Sequence, residues 1–151
     1  TKMRADGRSE QYIADHQFTF RDVITVASLI EEETSSANAS YTIASVIYNR
    51  LFSWGGTPAY LNIDAAIIYA TGDPDNIDTS INHPYNTYTE KGLIPGPISN
   101  PGRNSLYAAL DPNETNYYFY VFNPNTGVHL FAKNATEHQK NVDYVRSLDK
   151  N

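Results

Sequence analysis

The residue pattern of this chain agrees with a single α+β domain, in which helices surround a small antiparallel hairpin. Two observations carry that reading. Apolar residues recur at helical spacing through the first part of the chain and again at its end. Between them, an aromatic and β-branched run, a turn and a second short apolar run have the form of a hairpin. The length of 151 residues fits one domain, at a usual ~150 residues each. Hydrophobic residues make up 40% and charged residues 19%, which is a globular composition and not a disordered one.

The elements follow in order. Residues 1 to about 16 are polar and aperiodic and are expected to be a tail or the remnant of a preceding segment, so that 1–17 lies outside a domain spanning 18–151. Thr19 offers a helix N-cap, with Asp22 three residues later in a capping-box arrangement. Val23, Val26, Ala27 and Ile30 then form a buried helical stripe. Asn38 or Ser40 can cap a second helix, with Ile43, Val46, Ile47 and Leu51 as its stripe and Gly55-Gly56 as its end. A shorter helix is expected from Asp64 to about Ala70, stopped by Gly72. From Asp73 to Gly102 the chain is rich in Pro, Gly, Asn, Asp and Thr, and a loop this long in a compact domain is usually functional. A helix over 104–110 ends at Asp111-Pro112. Strands at 117–122 and 128–131 flank the turn Asn123-Pro-Asn-Thr-Gly127. A last helix, 136–148, turns Val142, Val145 and Leu148 toward the core.

Composition removes several function classes. Lys and Arg total 11 against 17 Asp and Glu, a net charge of -6, which argues against nucleic acid as a partner because phosphate binding needs a basic face. There is no cysteine, hence no disulfide, thiolate nucleophile or iron–sulfur cluster. The four His at 16, 83, 129 and 138 show no helical zinc spacing, and no Walker lysine motif is present, so neither metal nor cofactor is expected. No apolar run approaches the ~18–20 residues of a membrane span. The 12 Tyr are apolar plates with polar tips, suited to half-polar ligands such as sugars.

The most unusual local feature is Glu31-Glu32-Glu33, closing the most apolar helix. At ~100° per residue the three carboxylates point in different directions. Glu32 falls with Thr25 and Ser28 on the polar face, whereas Glu31 and Glu33 fall on opposite edges of the apolar stripe. A carboxylate at such an edge, near the negative end of the helix, has its charged form disfavoured and its pKa raised toward that of a general acid. Periodicity does not choose between Glu31 and Glu33.

The segment Ala27-Ser-Leu-Ile-Glu-Glu-Glu-Thr34 resembles the catalytic signature of the bacterial endolytic murein transglycosylases, the MltG (YceG-like) family. The resemblance continues in order through Ile47-Tyr-Asn-Arg-Leu51, Leu61-Asn-Ile-Asp-Ala-Ala-Ile-Ile-Tyr69, Tyr85-Asn-Thr-Tyr88, Gly92-Leu-Ile-Pro-Gly-Pro-Ile98 and Asn100-Pro-Gly102. It extends over Ser105 and Ala108-Ala-Leu110 to Tyr118–Val121, His129-Leu-Phe131 and Glu137-His138…Asn141, and so covers roughly 18–146. Each motif alone is weak, but the ordered set is specific. The chain departs from the family pattern at Asn62, Ile63 and Ala65, where Gln, Thr and Pro are usual, and at Ile94, where Pro is usual.

The resemblance implies the same α+β class and places the catalytic carboxyl directly before the signature Thr, at Glu33. Glu31 and Arg50 become supporting candidates. The implied reaction is non-hydrolytic cleavage of the bond between N-acetylmuramic acid and N-acetylglucosamine, with one Glu acting as acid and then base to leave 1,6-anhydromuramyl ends. Asn49, Asn62, Asp64, Tyr85, Asn86, Tyr88 and His129 are the residues expected to contact the glycan, with Gly96 and Gly102 admitting it close to the backbone. The implied partners are peptidoglycan strands and the cell-wall synthesis machinery. Relatives carry an N-terminal membrane anchor and a LysM-like segment, so the chain is expected to be a soluble catalytic fragment of a protein held on the extracytoplasmic face of the bacterial membrane. The competing reading is a non-catalytic glycan-binding domain on the same scaffold. A pyridoxal-phosphate lyase would require a Schiff-base lysine, and neither mid-chain lysine, Lys91 or Lys133, lies in a Gly-rich phosphate loop.

Overall fold

The computed structural model describes residues 17–55 and 58–149, so the expected tail at 1–16, His16 and Gly56 lie outside the described residues. Five helices and one two-stranded antiparallel sheet make up the described chain: α1 (Phe20–Glu33), α2 (Ala37–Phe52), α3 (Asp64–Thr71), α4 (Arg103–Leu110), β1 (Phe119–Asn123), β2 (Val128–Ala132) and α5 (Ala135–Leu148). This is the α+β arrangement that the residue pattern agrees with. No helix among the described residues is long and apolar enough to cross a membrane.

The capping box at the start of α1 is fully formed. Thr19 Oγ1 accepts from the Asp22 N–H at 3.1 Å, and Asp22 returns the bond from the Thr19 N–H at 2.9 Å. Between its caps α1 is buried on nearly every side, with Val23, Val26, Ala27, Leu29 and Ile30 in the core. On its polar face Glu32 is exposed, while Thr25 and Ser28 are buried. Beneath the loop at 98–99, Ser28 Oγ accepts from the Ile98 N–H at 3.0 Å and the Ser99 hydroxyl donates to the Ser28 carbonyl at 3.0 Å. Hydroxyls on a helix can be covered at little cost when neighbouring backbone satisfies them.

The second helix begins a turn earlier than expected. Ser36, not Asn38 or Ser40, is its N-cap and accepts from the Ala39 N–H, while the Ser40 hydroxyl bonds back to the Ser36 carbonyl. The third helix ends at Gly72, whose φ of +73° closes the turn in the left-handed region that glycine adopts without strain. Helices α1, α2 and α4 form the core, joined by Leu61, Ile63 and Ile94 from the connecting segments.

The hairpin pairs Phe119 with Ala132 and Phe122 with His129. Its turn is an Asx turn, with Asn123 Oδ1 accepting from the Asn125 N–H at 3.0 Å and Gly127 at φ +70°. On α5, Val145 is buried, but Val142 faces a cleft and not the core.

Candidate active site

A cleft of about 440 Å³ opens where the C-terminal end of α1, the start of α3 and strand β1 converge, with α5 as one wall. Glu33, Arg50, Asn62, Asp64, Tyr88 and Tyr120 supply its polar lining, and Phe119, His138 and Val142 its flatter wall. Of the ten residues singled out in the sequence, five therefore meet here: Glu33, Arg50, Asn62, Asp64 and Tyr88.

Glu33 is the last residue of α1, half-buried at the edge of the core. Burial pushes its pKa from 4.5 up to about 7, and the charges of Asp64 and Glu32 push the same way; a hydrogen bond with Tyr120 opposes them. The ambiguity left by the helical wheel is resolved by placement. Glu31 turns away from the cleft, accepting from the Ser105 hydroxyl and from the Gly102 N–H at 3.3 Å. Gly102 caps α4 without a side chain, so Glu31 supplies the anion at that helix N-terminus.

The raised pKa has a stability consequence. The folded form holds the Glu33 proton up to about pH 7, whereas the unfolded form releases it near 4.5. The proton-linked stability is thus complete below 4.5 and is lost as pH rises toward 7. Glu33→Gln does not titrate. Urea melts at pH 4.5 and 8 are expected to show the variant gaining on the parent by up to about 3 kcal/mol at the higher pH. A difference that stays constant with pH contradicts the burial argument.

Asp64 begins α3, and its carboxylate accepts from the Tyr88 hydroxyl. Burial and that carboxylate hold the Tyr88 hydroxyl protonated far above neutral pH. The segment Tyr85-Asn-Thr-Tyr88 divides its labour. Asn86 is fully buried; its Nδ2 donates to the Thr79 and Ile81 carbonyls at 3.1 and 2.7 Å, and its Oδ1 accepts from the Tyr88 N–H at 2.9 Å. Thr87 bonds both the N–H and the carbonyl of Ile63 through its hydroxyl. The two middle residues thereby fix the loop so that Tyr88 reaches the cleft. Asn62 sits beside this anchor with φ +54°, a left-handed conformation that Asn tolerates better than most residues, and its N–H donates to the Thr87 carbonyl.

Asn49 and Arg50 work as an anchor for the hairpin. Asn49 Nδ2 donates to the Thr115 and Tyr117 carbonyls at 2.9 and 2.8 Å. Arg50 Nε donates to the Tyr118 carbonyl at 2.6 Å and Nη1 to the Tyr60 carbonyl at 2.7 Å. The guanidinium lies 4.9 Å from the centre of the Phe119 ring, so carbonyls and an aromatic face, and no carboxylate among the described residues, hold this charge. These bonds aim β1 at α1 and carry Tyr120 to Glu33.

Five of the singled-out residues do not line the cleft. Asn49 and Asn86 are committed to backbone carbonyls, and Glu31 caps α4. Tyr85 lies between Tyr69 and His83, its ring tilted to both. His129 is buried in an aromatic row with Phe122 and Phe131 and meets Tyr120 edge-on, behind the cleft wall. The closeness afforded by Gly96 is also internal: a Cβ there would stand 2.7 Å from the Arg21 guanidinium and 3.3 Å from the Tyr85 hydroxyl.

Tyr120 and His138 are the cleft residues that sequence reasoning passed over. Burial beside Glu33 holds the Tyr120 hydroxyl protonated, so it is a fixed donor toward that carboxyl. His138 stacks on Phe119 at 5.0 Å, and desolvation, with the charge of Arg50, lowers its pKa. Its spacing of four residues from Val142 on α5 was the available signal for a shared face. Among the described residues no group of three His, Asp or Glu side chains is placed to hold a metal ion.

Fold and cleft together define a small α+β domain with one carboxyl of raised pKa in a cleft that has aromatic walls. The chain belongs to the YceG-like family, whose model matches residues 1–144. It is 42% identical over 122 residues to a Bacillus subtilis protein named endolytic murein transglycosylase, covering 78% of this chain and 32% of that protein. A Streptococcus pneumoniae protein of the same name is 32% identical over 145 residues, covering 89% of this chain and 26% of that one. The crystal structure of a yceG-like protein from Listeria monocytogenes superimposes with a TM-score of 0.74 at 34% identity, covering 89% of this chain and 44% of that one. The chain thus spans about a third or less of the length of these curated relatives.

Proposed function

We propose that this cleft cleaves peptidoglycan strands without water, with Glu33 as the single acid and base. The observation that carries the reading is the pKa of Glu33, about 7, in a cleft whose second carboxylate, Asp64, is engaged by Tyr88. The names of the relatives at 42% and 32% identity point to the same substrate.

In this mechanism protonated Glu33 donates to the oxygen joining N-acetylmuramic acid to N-acetylglucosamine. The bond from muramyl C1 to that oxygen breaks, and the N-acetylglucosamine side leaves with the proton as a hydroxyl. The negative charge of Asp64 favours the positive charge that develops at C1. The muramyl 6-hydroxyl then attacks C1, and its proton passes to the Glu33 carboxylate. The enzyme returns to its starting state, and the products are a 1,6-anhydromuramyl end and a free N-acetylglucosamine hydroxyl. An intramolecular nucleophile has a high effective concentration, so no second carboxylate has to activate water.

Tyr120 donates to the carboxylate form of Glu33 and so opposes its protonation. Removing that donor in Tyr120→Phe raises the Glu33 pKa further. The expected result is a basic limb of the pH–rate profile displaced to higher pH, together with a lower maximum rate. A basic limb that stays in place would remove Glu33 as the group whose protonation limits the rate.

A further inference from the structure

A second, smaller cleft of about 250 Å³ lies against the first, and Arg50, Asn62 and Phe119 line both. Its own walls are Trp54, Tyr60 and Lys91. Trp54 and Tyr60 are 41% and 38% exposed, so their rings are open to a ligand. The shelf is tightly built. Tyr60 and Lys91 face each other across an antiparallel bridge, and Lys91 Nζ lies 5.5 Å from the centre of the Tyr60 ring. The Ala59 N–H donates to the Arg50 carbonyl and the Gly92 N–H to the Ala59 carbonyl, each at 2.9 Å. Gly92, at φ +83°, makes the bend that follows Lys91 and packs on Pro58. Trp54 meets Phe119 edge-on at 6.0 Å, with the Arg50 guanidinium 5.6 Å from its ring centre.

The charge of the shelf is opposite to that of the chain. The net charge is -6, yet two cations, Arg50 and Lys91, stand together here, and among the described residues neither is bonded to a carboxylate. Flat aromatic faces suit the C–H face of a pyranose, and an exposed ammonium beside them suits an acidic substituent.

We propose that Trp54, Tyr60 and Lys91 form a second glycan subsite, which takes an acid-bearing sugar next to the bond held at Glu33. The inference rests on the reading of the cleft as a peptidoglycan-cleaving site. On that substrate the acidic group is a carboxylate of the muramyl lactyl arm or of the peptide it carries. Lys91 meets that carboxylate, and the rings of Trp54 and Tyr60 carry the sugar.

The test is binding in a Glu33→Gln background, which holds substrate without turning it over. Three ligands are compared by calorimetry: a muramyl-containing hexasaccharide without peptides, the same hexasaccharide with peptides, and an N-acetylglucosamine hexamer. Lys91→Gln is expected to weaken the acidic ligands about five- to tenfold and leave the neutral hexamer unchanged. Loss on both acidic ligands assigns the lactyl carboxylate; loss on the peptide-bearing one alone assigns the peptide. Tyr60→Ala is expected to weaken all three, and Lys91→Arg to retain affinity. Lys91 is exposed, so its variants fold. An equal effect of Lys91→Gln on all three ligands, or no effect, overturns the subsite. If the parent chain cleaves strands while Lys91→Gln binds normally, only the subsite falls. If the parent neither binds nor cleaves muramyl glycan, the reading of the whole cleft falls with it.

Discussion

Glu33→Gln is expected to lower strand cleavage about a thousandfold or more, because in the proposed mechanism one group performs both proton transfers and Gln can perform neither. The substitution is close to isosteric and removes a buried ionisable group, so the loss is expected in a protein that is folded and, above pH 7, more stable than its parent. That combination separates chemistry from folding. Glu31 and Glu32 provide internal controls. Glu32→Gln, on an exposed side chain, is expected to leave the rate within about twofold, since its charge acts on Glu33 only through solvent-screened interaction. Glu31→Gln is expected to loosen the start of α4 and lower stability without moving the pH profile, because its carboxylate meets Ser105 and Gly102 and not the cleft. Rates that fall equally for Glu31→Gln and Glu33→Gln would contradict the assignment.

The second large effect is expected at Asn86, and it is structural in origin. Asn86→Ala empties a fully buried position and breaks part-buried hydrogen bonds, leaving the Thr79 and Ile81 carbonyls and the Tyr88 N–H without their partner. Unsatisfied buried groups cost about 1–3 kcal/mol each before relaxation. A loss of about 3 kcal/mol is expected, or roughly 10 °C in Tm for a chain of this size. Cleavage falls as well, because Tyr88 loses its support and with it the bond to Asp64. Thermal melts and rates measured side by side check this. A surface residue that bonded only an acetamido group would weaken glycan binding and leave the melting temperature where it was.

The contrast between Glu33 and Asn86 indicates what was legible in the sequence. Helix boundaries were legible wherever a local rule set them: the reciprocal Thr19–Asp22 cap and Gly72 both stand where residue chemistry places them. The start of α2 was less so, since Ser36, Asn38 and Ser40 are all competent caps and tertiary packing selects among them. The burial of Thr25 and Ser28 on the polar face of α1 was not legible, for the same kind of reason. Thr25 and Ser28 fall on the polar side by periodicity, yet both are buried: the Thr25 hydroxyl donates to the Arg21 carbonyl, and a loop some seventy residues further on supplies the partners of Ser28.

At the site, residue type was legible but direction was not. Tyr85, Asn86 and Tyr88 form one polar aromatic motif on paper, and alternate burial sends only Tyr88 into the cleft. Asn49, beside Arg50, proved an anchor for the hairpin, which local sequence cannot reveal because its acceptors lie at 115 and 117. Tyr120 was missed because a two-residue strand period gives faces and not destinations. Only the Asn49–Arg50 anchor sends that face toward Glu33.

In the proposed mechanism a single carboxyl cleaves the strand without water. Its most direct test is mass spectrometry of purified peptidoglycan digested by this chain. Muramyl ends in the 1,6-anhydro form are expected, with no reducing muramyl ends above background and no product from Glu33→Gln. Reducing muramyl ends that carry oxygen from labelled water would contradict it, and would point to Asp64 as a second working carboxylate in a hydrolase.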